Sequence, residues 1–145
     1  PDFKYISSEM AVRYSNAPDY PEVAKRALAQ MVKQTGDAKF DERDMMKRGV
    51  IVRHLILPGH IKESKEAIRY LYETYGDQIY ISIMNQYTPM PGIEKRFKNL
   101  GRTITQKEYD EVVDYAIDLG VENGFIQEGE TAKESFIPQF DDTGL

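Results

Sequence analysis

The longest apolar run in the chain, Val50-Ile-Val-Arg-His-Leu-Ile-Leu57, holds one arginine near its centre and closes on Pro58-Gly59. Runs of this kind form strands buried on both faces, as in the parallel sheet of an α/β protein. A second run, Ile79 to Tyr87, is broken by Thr88-Pro-Met-Pro-Gly92. Shorter extended stretches are predicted at Phe3–Ile6 and Asn123–Gln127. Three helical patterns separate these strands. From about Tyr20 to Gln34, Val23, Ala24, Ala27, Leu28, Met31 and Val32 recur at amphipathic spacing. Asp19 with Glu22 reads as an aspartate form of the capping box, and Gly36 as the stop. From Ile61 to Tyr75, residues Ala67, Ile68, Leu71, Tyr72 and Tyr75 turn inward, and Gly76 ends the helix. The box Thr105-Gln-Lys-Glu108 opens a third helix carrying Tyr109, Val112, Val113, Ala116 and Ile117 to Gly120.

The remaining segments lack a period. Ser7–Ala17 is polar and reads as a loop. Gly36–Arg48 is charged and reads as a solvated loop or short helical insertion. The loop from Thr88 to Gly101 carries the basic residues Lys95, Arg96 and Lys98. Residues 1–127 form one domain and 128–145 a polar tail, extended, with Thr131 and Glu134 hinting at one more helical turn. The order β-α-β-α-β-α-β requires parallel strands joined by right-handed crossovers. Ligands of such sheets collect beyond the carboxyl ends of the strands, here Pro58-Gly59-His60 and Asn85-Gln-Tyr-Thr-Pro89.

Side chains alternate along a strand, so each strand divides into two faces. Ile51, Arg53, Leu55 and Leu57 share one side, and Val50, Val52, His54 and Ile56 the other. Ile79, Ile81 and Ile83 suit the helix-covered side. Asp2, Lys4, Arg53, Ser82 and Gln86 then converge on the opposite surface. A guanidinium in such a strand is costly to bury without an anion, so Arg53 marks the place to look for a ligand. The set suits a zwitterion better than a nucleophilic hydrolysis site.

Composition narrows the chemistry. Charged residues make up 30% and the net charge is −5, which disfavours nucleic-acid binding. No apolar window reaches the roughly 18 residues of a membrane span, so a cytoplasmic location is expected. With no cysteine in the chain, disulfides, thiolate metal sites and a cysteine-held cluster within it are excluded. Asp37, Asp41, Glu42 and Asp44 lack the spacing of a calcium loop.

Three segments in order carry a family resemblance: Asp2-Phe-Lys4, Val52-Arg-His-Leu-Ile-Leu-Pro-Gly59 and Ile81-Ser-Ile-Met-Asn-Gln-Tyr-Thr-Pro89. With Glu122-Asn-Gly-Phe-Ile-Gln-Glu-Gly-Glu130, they resemble the C-terminal half of radical S-adenosylmethionine proteins related to the pyruvate formate-lyase activating enzyme. The likeness is greatest to a bacterial branch of its homologues. It implies a parallel-sheet β-α-β-α-β-α half of an incomplete, TIM-like (β/α)6 barrel. It further implies that the iron–sulfur cluster and its cysteine triad belong to a portion preceding Pro1. S-adenosylmethionine contacts fall to Lys4, Arg53, Gln86 and Thr88, and a monovalent cation to Asp2. Tyr87 and Thr88 stand where the family often has a histidine against the nucleoside. A glycyl-radical enzyme such as pyruvate formate-lyase is the implied partner, with this portion inactive alone.

Plainer readings compete at each residue. Arg53 can form a structural ion pair with Asp2, and Lys4 can be an edge lysine that discourages strand pairing. His54 reads as a satisfied core histidine and His60 as a helix cap. The rival functional readings are a stand-alone α/β module binding a small anion, and half of another barrel with phosphate at Arg53. A half-barrel leaves an unpaired edge and an open face, so a homodimer is expected.

Overall fold

A computed structural model describes residues 1–128 and 133–136. Its centre is a sheet ordered β3 (Ile51–Leu55), β4 (Tyr80–Met84), β5 (Gly124–Glu128) and β6 (Lys133–Phe136). The first three strands are parallel, with Ile51 opposite Tyr80 and Ile81 opposite Gly124. β6 is antiparallel to β5, with Phe125 opposite Phe136. α3 (Ile61–Tyr75) crosses from β3 to β4, and α4 (Gln106–Leu119) from β4 to β5. Ahead of β3 come α1 (Ser8–Ser15), α2 (Tyr20–Thr35) and a hairpin of β1 (Lys39–Phe40) and β2 (Met46–Arg48). Among the described residues the sheet does not close into a barrel.

The core lies on one face of this sheet. Val52, Ile56, Ile79, Ile81 and Ile83 pack there against Leu28 and Val32 of α2, Ala67, Ile68 and Leu71 of α3, and Val112 and Ala116 of α4. Each fully buried aliphatic side chain contributes about 1.5–3 kcal/mol relative to exposure, so this layer dominates stability. The predicted alternation holds along β3, where Val52 and His54 are buried while Arg53 is exposed. Ser82 departs from it: it belongs to the other face and is nonetheless only 1% exposed. Phe40 packs edge-on to Tyr80 at 5.3 Å, and Tyr80 lies 5.4 Å from Phe125.

Several sequence expectations change. The Phe3–Ile6 strand shrinks to a single parallel bridge between Asp2 and Arg53. Phe3 N–H donates to Arg53 C=O, and Arg53 N–H to Pro1 C=O. Beyond that point side chains capture the backbone. Lys4 N–H goes to the Tyr20 hydroxyl, and Ile6 and Ser7 N–H go to Glu63 Oε2. The chain therefore leaves the sheet after one rung.

Ser7–Ala17 is not a loop but contains α1, because Ser7 accepts from Met10 N–H as N-cap and Asn16 closes the helix in the left-handed region. Met10 and Ala11 pack beneath it with Tyr5, a stripe too short to register as periodic. Asp19 makes no side-chain cap for α2, whereas both halves of the Thr105–Glu108 box form.

Gly36–Arg48 is neither a plain loop nor helical. Asp41 Oδ1 accepts from the N–H groups of Arg43 and Met45, and this local turn closes the hairpin. Gly49 sits at φ +137°, where a Cβ would come within 2.8 Å of Ala38 Cα. β3 and β4 are shorter than expected, β4 ending at Met84. The fourth strand and its parallel setting agree with expectation. Glu134 lies in β6 rather than a helical turn, and Thr131 falls outside the described residues.

Candidate functional site

The face of the sheet away from the three packed helices holds a cavity of about 270 Å³. Leu55, Leu57 and Met84 line it together with Phe3, Tyr5 and Tyr87, and Asp2, Lys4 and Arg53 supply its charge. Two phases of alternation build it. Arg53, Leu55 and Leu57 line it from the β3 segment, and Lys4 from two residues beyond the Asp2 bridge.

The N-terminal segment is seated by contacts at nearly every residue. Arg53 Nε donates to Asp2 Oδ1 at 2.7 Å, and this guanidinium holds the Asp2 carboxyl below its ordinary value. The Tyr20 hydroxyl accepts from Lys4 N–H at 3.0 Å and donates to Asp2 C=O at 3.1 Å, spanning Phe3. Burial raises the pKa of that phenol, keeping it a donor. The Phe3 ring is buried and stacks on Tyr70 at 5.8 Å. Beneath it, His54 Nδ1 lies 2.8 Å from Phe3 C=O and Nε2 lies 2.9 Å from Ser64 Oγ. A carbonyl can only accept, so the proton is on Nδ1 and Nε2 accepts from the Ser64 hydroxyl. Burial keeps this imidazole neutral. His54 is thus a satisfied core histidine that positions the segment carrying Lys4.

Asp2, Lys4 and Arg53 come together. Gln86 and Thr88 do not join them: both are exposed, and neither lines the cavity. β4 ends at Met84, so alternation no longer governs the residues beyond it. Tyr87 reaches the cavity instead, its hydroxyl donating to Leu100 C=O at 2.8 Å. No group of three or more potential metal-ligating side chains occurs among the described residues.

At the carboxyl end of β3, His60 starts α3 without capping it through its side chain. Its Nε2 lies beside the Tyr14 hydroxyl and 3.1 Å from Asn99 Nδ2. Asn99 also reaches Tyr14 Oη at 3.1 Å and Pro58 C=O at 3.0 Å. Burial, with Arg13 nearby, lowers the His60 pKa. Tyr14 and Asn99 escaped sequence reasoning because one lies in the unrecognised α1 and the other in an aperiodic loop.

Beside this turn, Gly59 N–H donates to Glu108 Oε2, and Arg102 holds the same carboxylate through two nitrogens. These donors bring Glu108 down to about 2, tying the end of β3 to the start of α4.

Among the described residues no helix is long and apolar enough to cross a membrane. Comparison with protein-family models, with curated proteins and with solved structures returned no match.

Proposed function

We propose that this chain is the C-terminal portion of a radical S-adenosylmethionine enzyme of the activating-enzyme kind, and that Lys4 and Arg53 receive the carboxylate end of the cofactor. The observation that carries this reading is that both side chains line one cavity on the helix-free face of the sheet. The finer fold reading, half of an incomplete (β/α)6 barrel, draws support from the same layout. Parallel strands with helices on a single face are what an outer layer and an open interior would require.

The charge and size of the cavity bear on the ligand. Asp2 neutralises one of the two cations, so a single net positive charge faces the ligand, matching one carboxylate. Asp2 also suits an ammonium or a monovalent cation next to it. Pockets for drug-sized ligands span roughly 300–1,000 Å³, and this one falls just below that range. It fits the amino-acid end of the cofactor better than the whole molecule, in keeping with a site completed by another part of the protein. The chain has no cysteine, so the cluster that would supply radical chemistry belongs elsewhere in the parent. There the activity would be directed at a glycine of a partner glycyl-radical enzyme.

Calorimetric titration with S-adenosylmethionine, methionine and acetate tests the site. Weak binding, with dissociation constants of ~1 mM, is expected for the first two. Lys4→Gln should weaken both several-fold while leaving the Asp2–Arg53 pair intact. Tight stoichiometric binding of simple carboxylates would instead favour a self-contained anion-binding module. Radical cleavage of the cofactor by this polypeptide after iron–sulfur reconstitution would refute the assignment outright.

A further inference from the structure

Outside the cavity, cations and aromatic rings gather where α1 meets the loop before α4. Tyr14 and Phe97 pack edge to face with centroids 4.8 Å apart. Each ring carries its neighbour's guanidinium: Arg13 lies 5.3 Å from the Tyr14 centroid and Arg96 5.2 Å from that of Phe97. The pair is fixed from behind. His60 packs edge-on to Tyr14 at 5.3 Å, and Asn99 ties Tyr14 to Pro58. Asn99 Nδ2 also lies 3.1 Å from His60 Nε2, which stands beside the Tyr14 hydroxyl.

A guanidinium lying on a ring directs its N–H donors outward in the plane, the arrangement that grips a carboxylate in bidentate fashion. Arg13, Arg96, Lys95 and Lys98 are all exposed, and none forms an ion pair with a described residue. In a chain of net charge −5, unpaired cations on a rigid aromatic base are a local reversal of sign. Acids on the same elements, Glu9 and Glu94, are not paired with them either. Glu63, the acid behind His60, is occupied by the N–H groups of Ile6 and Ser7.

We infer that Arg13 and Arg96, seated on Tyr14 and Phe97, form a docking surface for an acidic peptide segment of a partner protein. The cations lie on exposed helix and loop positions rather than inside a walled pocket, which suits an extended chain better than a small molecule. The overall negative charge opposes a dense polyanion such as nucleic acid at long range. A short acidic segment meets less of that field. This inference goes beyond the cofactor reading and stands without it.

Fluorescence anisotropy with labelled hexaglutamate, hexalysine and an oligothymidine of matched charge tests the surface, using the full chain. Hexaglutamate should bind and hexalysine should not. The double variant Arg13→Gln/Arg96→Gln should weaken hexaglutamate at least tenfold, against less than twofold for Lys33→Gln/Lys39→Gln, which removes equal charge elsewhere. Amide chemical-shift changes on adding hexaglutamate should centre on residues 13, 14 and 96–98. The inference is overturned by equal losses in the two variants, by tighter binding of oligothymidine, by no binding, or by shift changes centred on Lys4 and Arg53. The last outcome would leave the cavity reading standing while removing this one.

Discussion

His54 and Glu108 show how single titratable groups serve structure beside a candidate site. A histidine in the unfolded chain takes up its proton at about pH 6.5, and burial holds the folded-state value of His54 below that. The unfolded chain therefore binds the extra proton first. The stability tied to a neutral His54 is present above pH ~6.5 and declines as pH falls below it. Chemical denaturation from pH 7.5 to 5 should show this decline, and His54→Phe should flatten it. That variant strands Phe3 C=O and the Ser64 hydroxyl, at a cost of about 2–3 kcal/mol at neutral pH. Nitrogen-15 spectra should report the Nδ1–H tautomer. Glu108 works through the opposite charge. Its carboxyl is depressed to about 2 by Arg102 and two backbone N–H groups, so its contribution is complete above its ordinary value and fades as pH falls toward 2. Glu108→Gln should cost about 1–2 kcal/mol at pH 7, with the gap from the parent closing between about pH 5 and 2. The burial of His54 follows from strand alternation. The donors around Glu108 include Gly59, which no local pattern connects to it.

At the scale of elements, the N-terminal segment is the decisive piece, because it carries Asp2 and Lys4 while making only one sheet bridge. Its seat depends on side chains of α2 and α3. Tyr20→Phe removes both hydrogen bonds that span Phe3 and should cost about 1–2 kcal/mol. Hydrogen exchange should localise the effect, with Lys4 N–H losing protection while α3 amides keep theirs. An equal rise across the core would instead make the segment part of the global unit rather than a seated strap. Gly49→Ala probes the hairpin in the same way. Its backbone lies where non-glycine residues are strained, and the new methyl meets Ala38, so a loss of more than about 1 kcal/mol is expected. α3 and α4 were legible because a long apolar stripe and glycine stops mark them. α1 was not, since eight residues with two buried positions leave no period. The hairpin was hidden for a related reason: one aspartate organises its turn without any apolar alternation.

At the scale of the molecule, one sheet face is covered by helices and the other opens onto a cavity, with an apolar groove at the β3 edge. Val23 and Met31 of α2 are 45% and 37% exposed there, beside Pro1 and Phe3. Surfaces of this composition associate, and sedimentation at high concentration should show a dimer that Val23→Lys/Met31→Lys returns to monomer. A monodisperse monomer in the parent would remove that expectation. The amino-acid sequence alone determined the α/β class, the parallel strand order from β3 to β5, and the side of β3 on which Arg53 stands. Those follow from periodicity and helical crossovers, which are properties of neighbours along the chain. Alternation also brought Lys4 and Arg53 to one surface, but only the tertiary structure decided that Tyr87 enters the cavity there in place of Gln86 and Thr88, and that Tyr14 meets His60 and Asn99. These depend on where strands end and on which side chain captures a backbone group from far along the chain. That competition among hydrogen-bond partners is resolved in space and leaves no periodic trace.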